Sequence, residues 1–257
     1  MGHSLTLNYY NMKRVSLFVF SILLAFQLAA QTTEKTYFLL NESRVLDTDI
    51  YKKNYPAIRN WWMEATKGIS YNFAAHTSES GRTYGMVFVK GDENLGKYIG
   101  QRVALSDKIA VALKAVTDEN TANRSQAIQR SIWQQSTNTS VMVPDFKVEN
   151  YDFRKIVLFT VPFDKIAEYE KLIEQANAED KAIGISYNYI IYKAVDGYPN
   201  NTYMMILPDK SRLDYYTHQE ERNAKRKGNA KLAAINKKAS QLRTTIRMDH
   251  LSRVPVQ

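Results

Sequence analysis

Gly68-Ile69-Ser70-Tyr71-Asn72-Phe73 returns as Gly184-Ile185-Ser186-Tyr187-Asn188-Tyr189, five identities in six, with the sixth exchanging one aromatic ring for another. A recurrence of this kind points to an internal duplication, which constrains architecture before it says anything about chemistry. The neighbourhoods of the two copies match in order. An apolar strand precedes each, Thr36–Leu40 in the first half and Lys155–Val161 in the second, followed by an amphipathic helix. After each copy come a turn and a second strand. Ser78-Glu79-Ser80-Gly81 leads into Thr83–Val89, and Asp196–Asn201 leads into Thr202–Leu207, with Thr-Tyr-x-Met opening both strands. Turn residues between β-rich runs predict hairpins.

The first helix carries Tyr51, Tyr55, Ile58, Trp62 and Ala65, and the second Ile166, Tyr169, Ile173 and Ala176. That three-four spacing is the stripe of a helix packed on one side. Pro56 predicts a helix start or a kink. Gly68 and Gly184 are expected C-terminal stops, and Asp164 the N-cap of the second helix. A long helical region then follows in each half. Each ends in an expected short strand with proline, Val141-Met142-Val143-Pro144 and Arg253-Val254-Pro255-Val256. The unit reads β-α-β-β-α-β, twice.

With 257 residues and 44% apolar content the chain can bury a sizeable core. Lys13-Arg14, the apolar run from Val15 to Phe26 and the small residues Ala29-Ala30 read as a secretory signal cleaved after Ala30. Met12 is an alternative start. No integral membrane span is expected once the signal is removed, and the predicted location is periplasmic or secreted, in a bacterium. The absence of cysteine excludes disulfides and a lipidated N-terminal cysteine. The expected domains are 1–30 (upstream extension and signal), 31–148 (first repeat) and 149–257 (second repeat, with a long basic C-terminal helix).

The net charge of +9 is unevenly distributed. Residues 209–257 hold twelve basic and five acidic side chains, whereas residues 31–208 balance. Within this basic region Leu232, Ile235, Ala239, Leu242 and Ile246 form a packing stripe, leaving Lys225, Arg226, Lys227 and Lys231 as a candidate surface for an anionic envelope component. A solvated, solubilising face is the alternative. No nucleic-acid recognition motif is present, and none is expected of an exported protein.

Two tandem β-α-β-β-α-β units resemble the ferredoxin-like fold, and more particularly the dimeric α/β-barrel superfamily with both protomers fused in one chain. The resemblance covers residues 35–257 and rests on element order and duplication. It implies an α+β fold in which two four-stranded antiparallel sheets close a barrel with helices outside. Two separate ferredoxin-like domains are the alternative. The superfamily includes small monooxygenases, haem-degrading enzymes, dye-decolourising peroxidases and members without known activity, so the fold alone assigns no reaction.

Strand parity sorts each hexamer. Ile69, Tyr71 and Phe73 share one face, as do Ile185, Tyr187, Tyr189 and Ile191; these apolar faces are expected under the helices. Ser70, Asn72 and His76, with Ser186, Asn188 and Tyr192, share the other face and are the candidate lining of a ligand cavity between the sheets. An inter-sheet hydrogen-bond cluster is the alternative for the Ser/Asn set. For His76 the alternatives are a base or ligand within the cavity and a surface histidine near the hairpin.

No metal or cofactor site is indicated. After residue 31 the only histidines are His76, His218 and His250, and His218 shares one helical turn with Glu221 and Arg222 without a third ligand. Gly91–Gly96 lacks the lysine and spacing of a phosphate loop. The leading functional expectation is an exported protein that binds a small apolar or aromatic ligand between its sheets. The others are a cofactor-independent monooxygenase or haem-handling enzyme of the dimeric α/β-barrel type, and an envelope-surface interaction module.

Overall fold

Eight antiparallel strands close on themselves in the order β1-β3-β2-β8-β5-β7-β6-β4. This is seen in a computed structural model that describes residues 34–45, 47–106, 108, 111, 125–144, 146–147 and 150–255. The expected signal segment lies outside the described residues. The strands are β1 (Thr36–Val45), β2 (Tyr71–Ser78), β3 (Arg82–Lys90), β4 (Ser125–Gln135), β5 (Phe153–Thr160), β6 (Ile190–Asp196), β7 (Thr202–Asp209) and β8 (Thr244–Arg253). The helices are α1 (Thr48–Ala65), α2 (Asp92–Ala104), α3 (Ile166–Ala182), α4 (Arg212–Arg226) and α5 (Ala230–Gln241). None of the described helices is long and apolar enough to cross a membrane.

The first four strands lie in the order 4-1-3-2, and the last four repeat that order as 8-5-7-6. Two short seams join these runs. At one, His76, Thr77 and Ser78 pair with Arg253, Ser252 and Leu251. At the other, Ile132–Gln135 pairs with Asp196–Tyr192 around a bulge. The predicted hairpins are present: β2 turns into β3 at Ser78–Arg82, and β6 into β7 at Asp196–Thr202.

Alternation along the strands separates two apolar compartments. Phe38, Leu40, Tyr84, Met86, Trp133, Ile156, Leu158, Tyr192, Met204 and Leu251 fill the barrel interior. The outward-facing residues meet helices. Leu39, Val87 and Val89 pack with Trp62 of α1 and Tyr98 of α2. Val157, Phe159, Ile191 and Tyr203 pack with Tyr169 and Ile173 of α3 and Ala239 of α5. Both faces of β1, β3, β5 and β7 are therefore buried, which explains their continuous apolar runs. Each large apolar side chain buried this way contributes about 1.5–3 kcal/mol.

Helix α1 begins at Asp47, whose carboxylate accepts from the amides of Asp49 and Ile50, and it runs through Pro56. Of the expected apolar faces, Ile69, Tyr71 and Phe73 lie under α1 and α2, and Tyr187, Tyr189 and Ile191 under α3, whereas Ile185 lies outside that cluster and lines a cleft.

Several expectations are corrected. Residues 125–135, read as helical, form β4, because the barrel needs a strand between β1 and β6. Val141 makes only an isolated bridge to Tyr189, so Val141–Pro144 is not a strand. The second hexamer is extended chain ahead of β6 rather than strand. Asp164 sits in a short 3-10 turn, and no side chain caps α3. The long C-terminal helix is two helices, broken at Gly228 (φ +86°) and restarted by Asn229, whose side chain accepts from the Leu232 amide. Ile246 consequently leaves the helical stripe and lies exposed on β8, which runs from Thr244 to Arg253 rather than beginning at Arg253.

Candidate functional site

The space between the sheets, expected to hold a ligand, is filled by side chains. Phe38, Tyr84, Met86, Trp133, Leu158, Met204 and Leu251 are each at most 1% exposed. Apolar residues on the inner faces of all the strands meet at the axis and pack it. The six residues proposed to line that space are accordingly dispersed. Tyr192 is part of the packed interior. Ser70, Asn72 and Ser186 are exposed at the surface. Asn188 bridges two loops, accepting from the Val143 amide at 3.0 Å and donating to the Tyr151 hydroxyl at 3.0 Å.

His76 is inside the barrel rather than at the surface, with no exposure. Neither ring nitrogen has a hydrogen-bond partner among the described residues. Arg154, also fully buried, lies with Nη1 2.9 Å from the Met86 sulfur and its guanidinium over the Phe88 ring. Burial, reinforced by the charges of Arg154 and Arg253, holds the His76 pKa well below its ordinary 6.5. The unfolded chain therefore takes up a proton that the folded chain refuses. Stability present above pH 6.5 is lost as pH falls below it toward the folded pKa. His76→Leu removes this penalty. Its urea midpoint is expected to equal or exceed that of the parent at neutral pH and to fall less steeply on acidification. Parallel midpoint-against-pH curves would exclude His76 as the source.

The concavity that gathers reactive groups lies outside the barrel, at the end of β7. Strand, turn and helix position it. Asp209 closes β7, Ser211 caps α4 by accepting from the Asp214 amide, and α4 then runs back across the sheet. Tyr215, His218, Arg222 and Lys225 recur at intervals of three and four, so one face of α4 presents all four. Opposite them stand Ile185, Ser186, Tyr187 and Asn188 of the second hexamer. Leu207, Pro208 and Asp209 form the floor, Val143 and Tyr151 lie at the side, and the cleft has a volume of about 220 Å³.

The most organised pair in this cleft is Asp209 and His218. The Asp209 side chain is 10% exposed, and its Oδ2 lies 2.8 Å from His218 Nδ1. Its Oδ1 accepts from the Lys210 amide at 2.8 Å, which locks the carboxylate. With the carboxylate accepting from Nδ1–H, the imidazole proton sits there and Nε2 keeps the free lone pair. Around the pair, the Arg222 guanidinium lies 4.9 Å from the centroid of the Tyr187 ring. Lys225 donates to the Gly184 carbonyl at 2.9 Å. His218, Glu221 and Arg222 were visible in the sequence as one helical turn. The missing signal was the longer stripe from Tyr215 to Lys225 facing a strand that ends in Asp209.

Of the candidate surface cations, Lys225 borders this cleft and Lys227 is exposed. Arg226 is committed to buried Asp180, with Nε donating to Oδ1 at 2.8 Å, and Lys231 is paired with Glu179. A second concavity, beside Asp152 and Arg253 and about 530 Å³ in volume, has an ion-paired rim: Arg253 pairs with Asp152 at 3.6 Å, and Arg212 with Glu79. Among the described residues no three His, Asp or Glu side chains are grouped to hold a metal ion.

Haem, implied by part of the superfamily, has two histidines to consider. His76 is sealed by fully buried neighbours. His218 has the carboxylate partner common to metal-bound imidazoles. Its cleft, at about 220 Å³, is smaller than the roughly 300–1,000 Å³ of pockets that enclose drug-sized ligands. The residues present do not fit a macrocycle, and the chemistry of the cleft is that of its own side chains.

No protein-family model matches the chain, and no curated protein matches it in sequence. Among solved structures it is similar to an anthrone oxidase-like protein, with TM-score 0.56 and 10% identity over 87% of this chain and 93% of that one. It is similar to a candidate monooxygenase from Fusobacterium nucleatum, with TM-score 0.54 and 11% identity over 87% of this chain and 94% of that one. It is also similar to a variant of the chlorite dismutase from Candidatus Nitrospira defluvii, with TM-score 0.51 and 6% identity over 86% of this chain and 92% of that one. At these identities the likeness is one of fold. The closed eight-stranded antiparallel barrel wrapped by helices is the fold this chain shares with these neighbours, and here all eight strands come from one polypeptide.

Proposed function

We propose that this chain is a cofactor-independent oxygenase acting on a small ring compound in the α4 cleft, with His218 as the base. The observation that carries this reading is the Asp209–His218 pair, 2.8 Å apart at the end of β7, with both residues lining the cleft. An imidazole oriented by a buried carboxylate is suited to taking a proton from a phenol or an enolisable ring CH2. The resulting anion is electron-rich enough to react with dioxygen directly. In the CH2 case the carbon becomes a ketone: one oxygen atom enters the product, the other leaves as water, and the substrate supplies all four electrons. No external reductant is needed. The fold shared with an anthrone oxidase-like protein and a candidate monooxygenase supports this class without establishing it.

We also infer that the barrel arose by duplication of one four-stranded unit. The repeated strand order 4-1-3-2 and 8-5-7-6 supports it, as does the hexamer, which runs into β2 in one run and precedes β6 in the other. The two copies then diverged, since the His–Asp pair belongs to the second unit alone.

The test of the oxygenase reading is oxygen uptake by the purified full chain, stripped of metal by chelation, with a panel of anthrones, hydroquinones and phenols. Consumption of one dioxygen per ketone formed is expected with at least one ring CH2 substrate. Uptake that disappears on chelation, or none across the panel, would reject it.

A further inference from the structure

We infer that Arg222 is the specificity-determining anion anchor of this cleft, so that the preferred ligand is an aromatic acid rather than a neutral ring. The inference rests on the proposed cleft site but not on the reaction assigned to it. The Arg222 guanidinium lies over the Tyr187 ring at 4.9 Å from its centroid, and among the described residues no carboxylate comes within ion-pair distance of it. Partial burial holds its pKa below the ordinary arginine value, although Tyr187 and Tyr215 oppose that shift. Its neighbour Arg226 has a different fate, since Asp180 satisfies it with a two-point contact. One arginine of this helix is thus neutralised from below, and the next is presented to the cleft by a tyrosine face.

The surrounding charges agree with an anionic ligand. Lys210 and Lys225 border the cleft with Arg222, against Asp209 and Glu221. Asp209 is already engaged by His218 and by the Lys210 amide. A guanidinium with unused N–H donors matches a carboxylate in the two-point fork that ammonium groups cannot make. Spacing then sets the ligand's length. Four residues separate His218 from Arg222, a rise of about 6 Å along the helix. That is close to the span of one benzene ring with a substituent. A carboxylate held at Arg222 therefore brings an acidic O–H or C–H on the opposite side of the ring to His218 Nε2.

The test is equilibrium binding, by calorimetry, of 4-hydroxybenzoate and of its neutral methyl ester to the full chain at low salt. The acid is expected to bind at least about tenfold more tightly than the ester, as a charge-assisted fork requires. Arg222→Gln should remove that preference by weakening the acid alone, and Arg222→Lys should keep only part of it. Unchanged thermal midpoints show that the variants fold; where Gln unfolds the chain, the Lys variant, which keeps the charge and the stem, carries the comparison. Equal affinity for acid and ester, or full retention of the preference in Arg222→Gln, overturns the anchor. Absence of binding by either probe overturns the anchor together with the cleft reading. Acid preference without oxygen uptake by any ring compound leaves the anchor standing and removes only the oxygenase.

Discussion

His218→Gln is expected to lower kcat for the ring substrate by about 10²–10⁴-fold, the usual contribution of a positioned general base. KM should stay near that of the parent, because a glutamine side chain keeps the polar bulk of the imidazole while losing a nitrogen that can accept and hold a proton. That division matters. A loss confined to kcat marks a group acting in the transition state, whereas a rise in KM alone marks one that only binds. Asp209→Asn tests the same arrangement one step further back. Both Asp209 oxygens are engaged, by His218 and by the Lys210 amide, so it is a positioning residue. The amide would present an N–H as readily as a C=O to Nδ1, and the wrong choice moves the imidazole proton to Nε2, where a base is needed. Asp209→Asn should therefore also lose kcat, while keeping the preference for 4-hydroxybenzoate over its ester. Steady-state oxygen uptake reads both. A His218→Gln enzyme with the parent kcat would eliminate the dyad from the mechanism.

Glu42→Ala should be the most damaging single polar substitution for stability. The Glu42 side chain is fully buried and holds charges from both halves of the barrel. Its Oε2 lies 2.8 Å from Arg247 Nη2 of β8, close enough for an ion pair although the N–H is not aligned for a hydrogen bond. Arg82 of β3 approaches the same oxygen at 3.4 Å, and the Tyr198 hydroxyl donates to Oε1 at 3.4 Å. Arg247 Nε also reaches Asp249 at 2.9 Å, and Asp249 accepts from Tyr84 at 2.5 Å. The Tyr84 pKa is raised accordingly, by burial first and by that hydrogen bond second. Breaking a buried pair from one side typically costs about 3–5 kcal/mol. Arg247 keeps Asp249 and is 20% exposed, so the lower end applies. At roughly 2–4 °C per kcal/mol for a chain of this size, the thermal midpoint should fall by about 6–12 °C. Glu64→Ala removes an exposed partner of Lys67 and is the control. Equal midpoints for the two variants would show that the internal network contributes nothing.

Much of the framework was readable because local periodicity and tertiary burial agree here. The stripes of α1 and α3, the two hairpins and the apolar faces of both hexamers follow from spacing alone. β4 was not readable. Ser125–Gln135 is rich in Gln and Ser, and only Ile132 and Trp133 pack on opposite sides of the sheet. Its strand conformation comes from pairing with β1 and β6, which no local propensity reports. The two hexamers make the same point: Tyr71 opens a strand, whereas Tyr187, its counterpart, lies in extended chain ahead of β6. Parity turned Ile69, Tyr71 and Phe73 toward the helices. It could not show that the barrel axis would be filled by side chains from every strand.

The sequence by itself determined the two hairpins and the packing stripes of the helices before them, because those depend on residues a few positions apart. Only the tertiary structure decided the rest. It closed two sheets into one barrel, buried His76 beside Arg154, and brought Asp209 to His218 across a strand–helix turn. These outcomes depend on which distant surfaces exclude water from one another. The repeated hexamer marks one wall of the α4 cleft, and the groups with chemistry stand on the wall opposite.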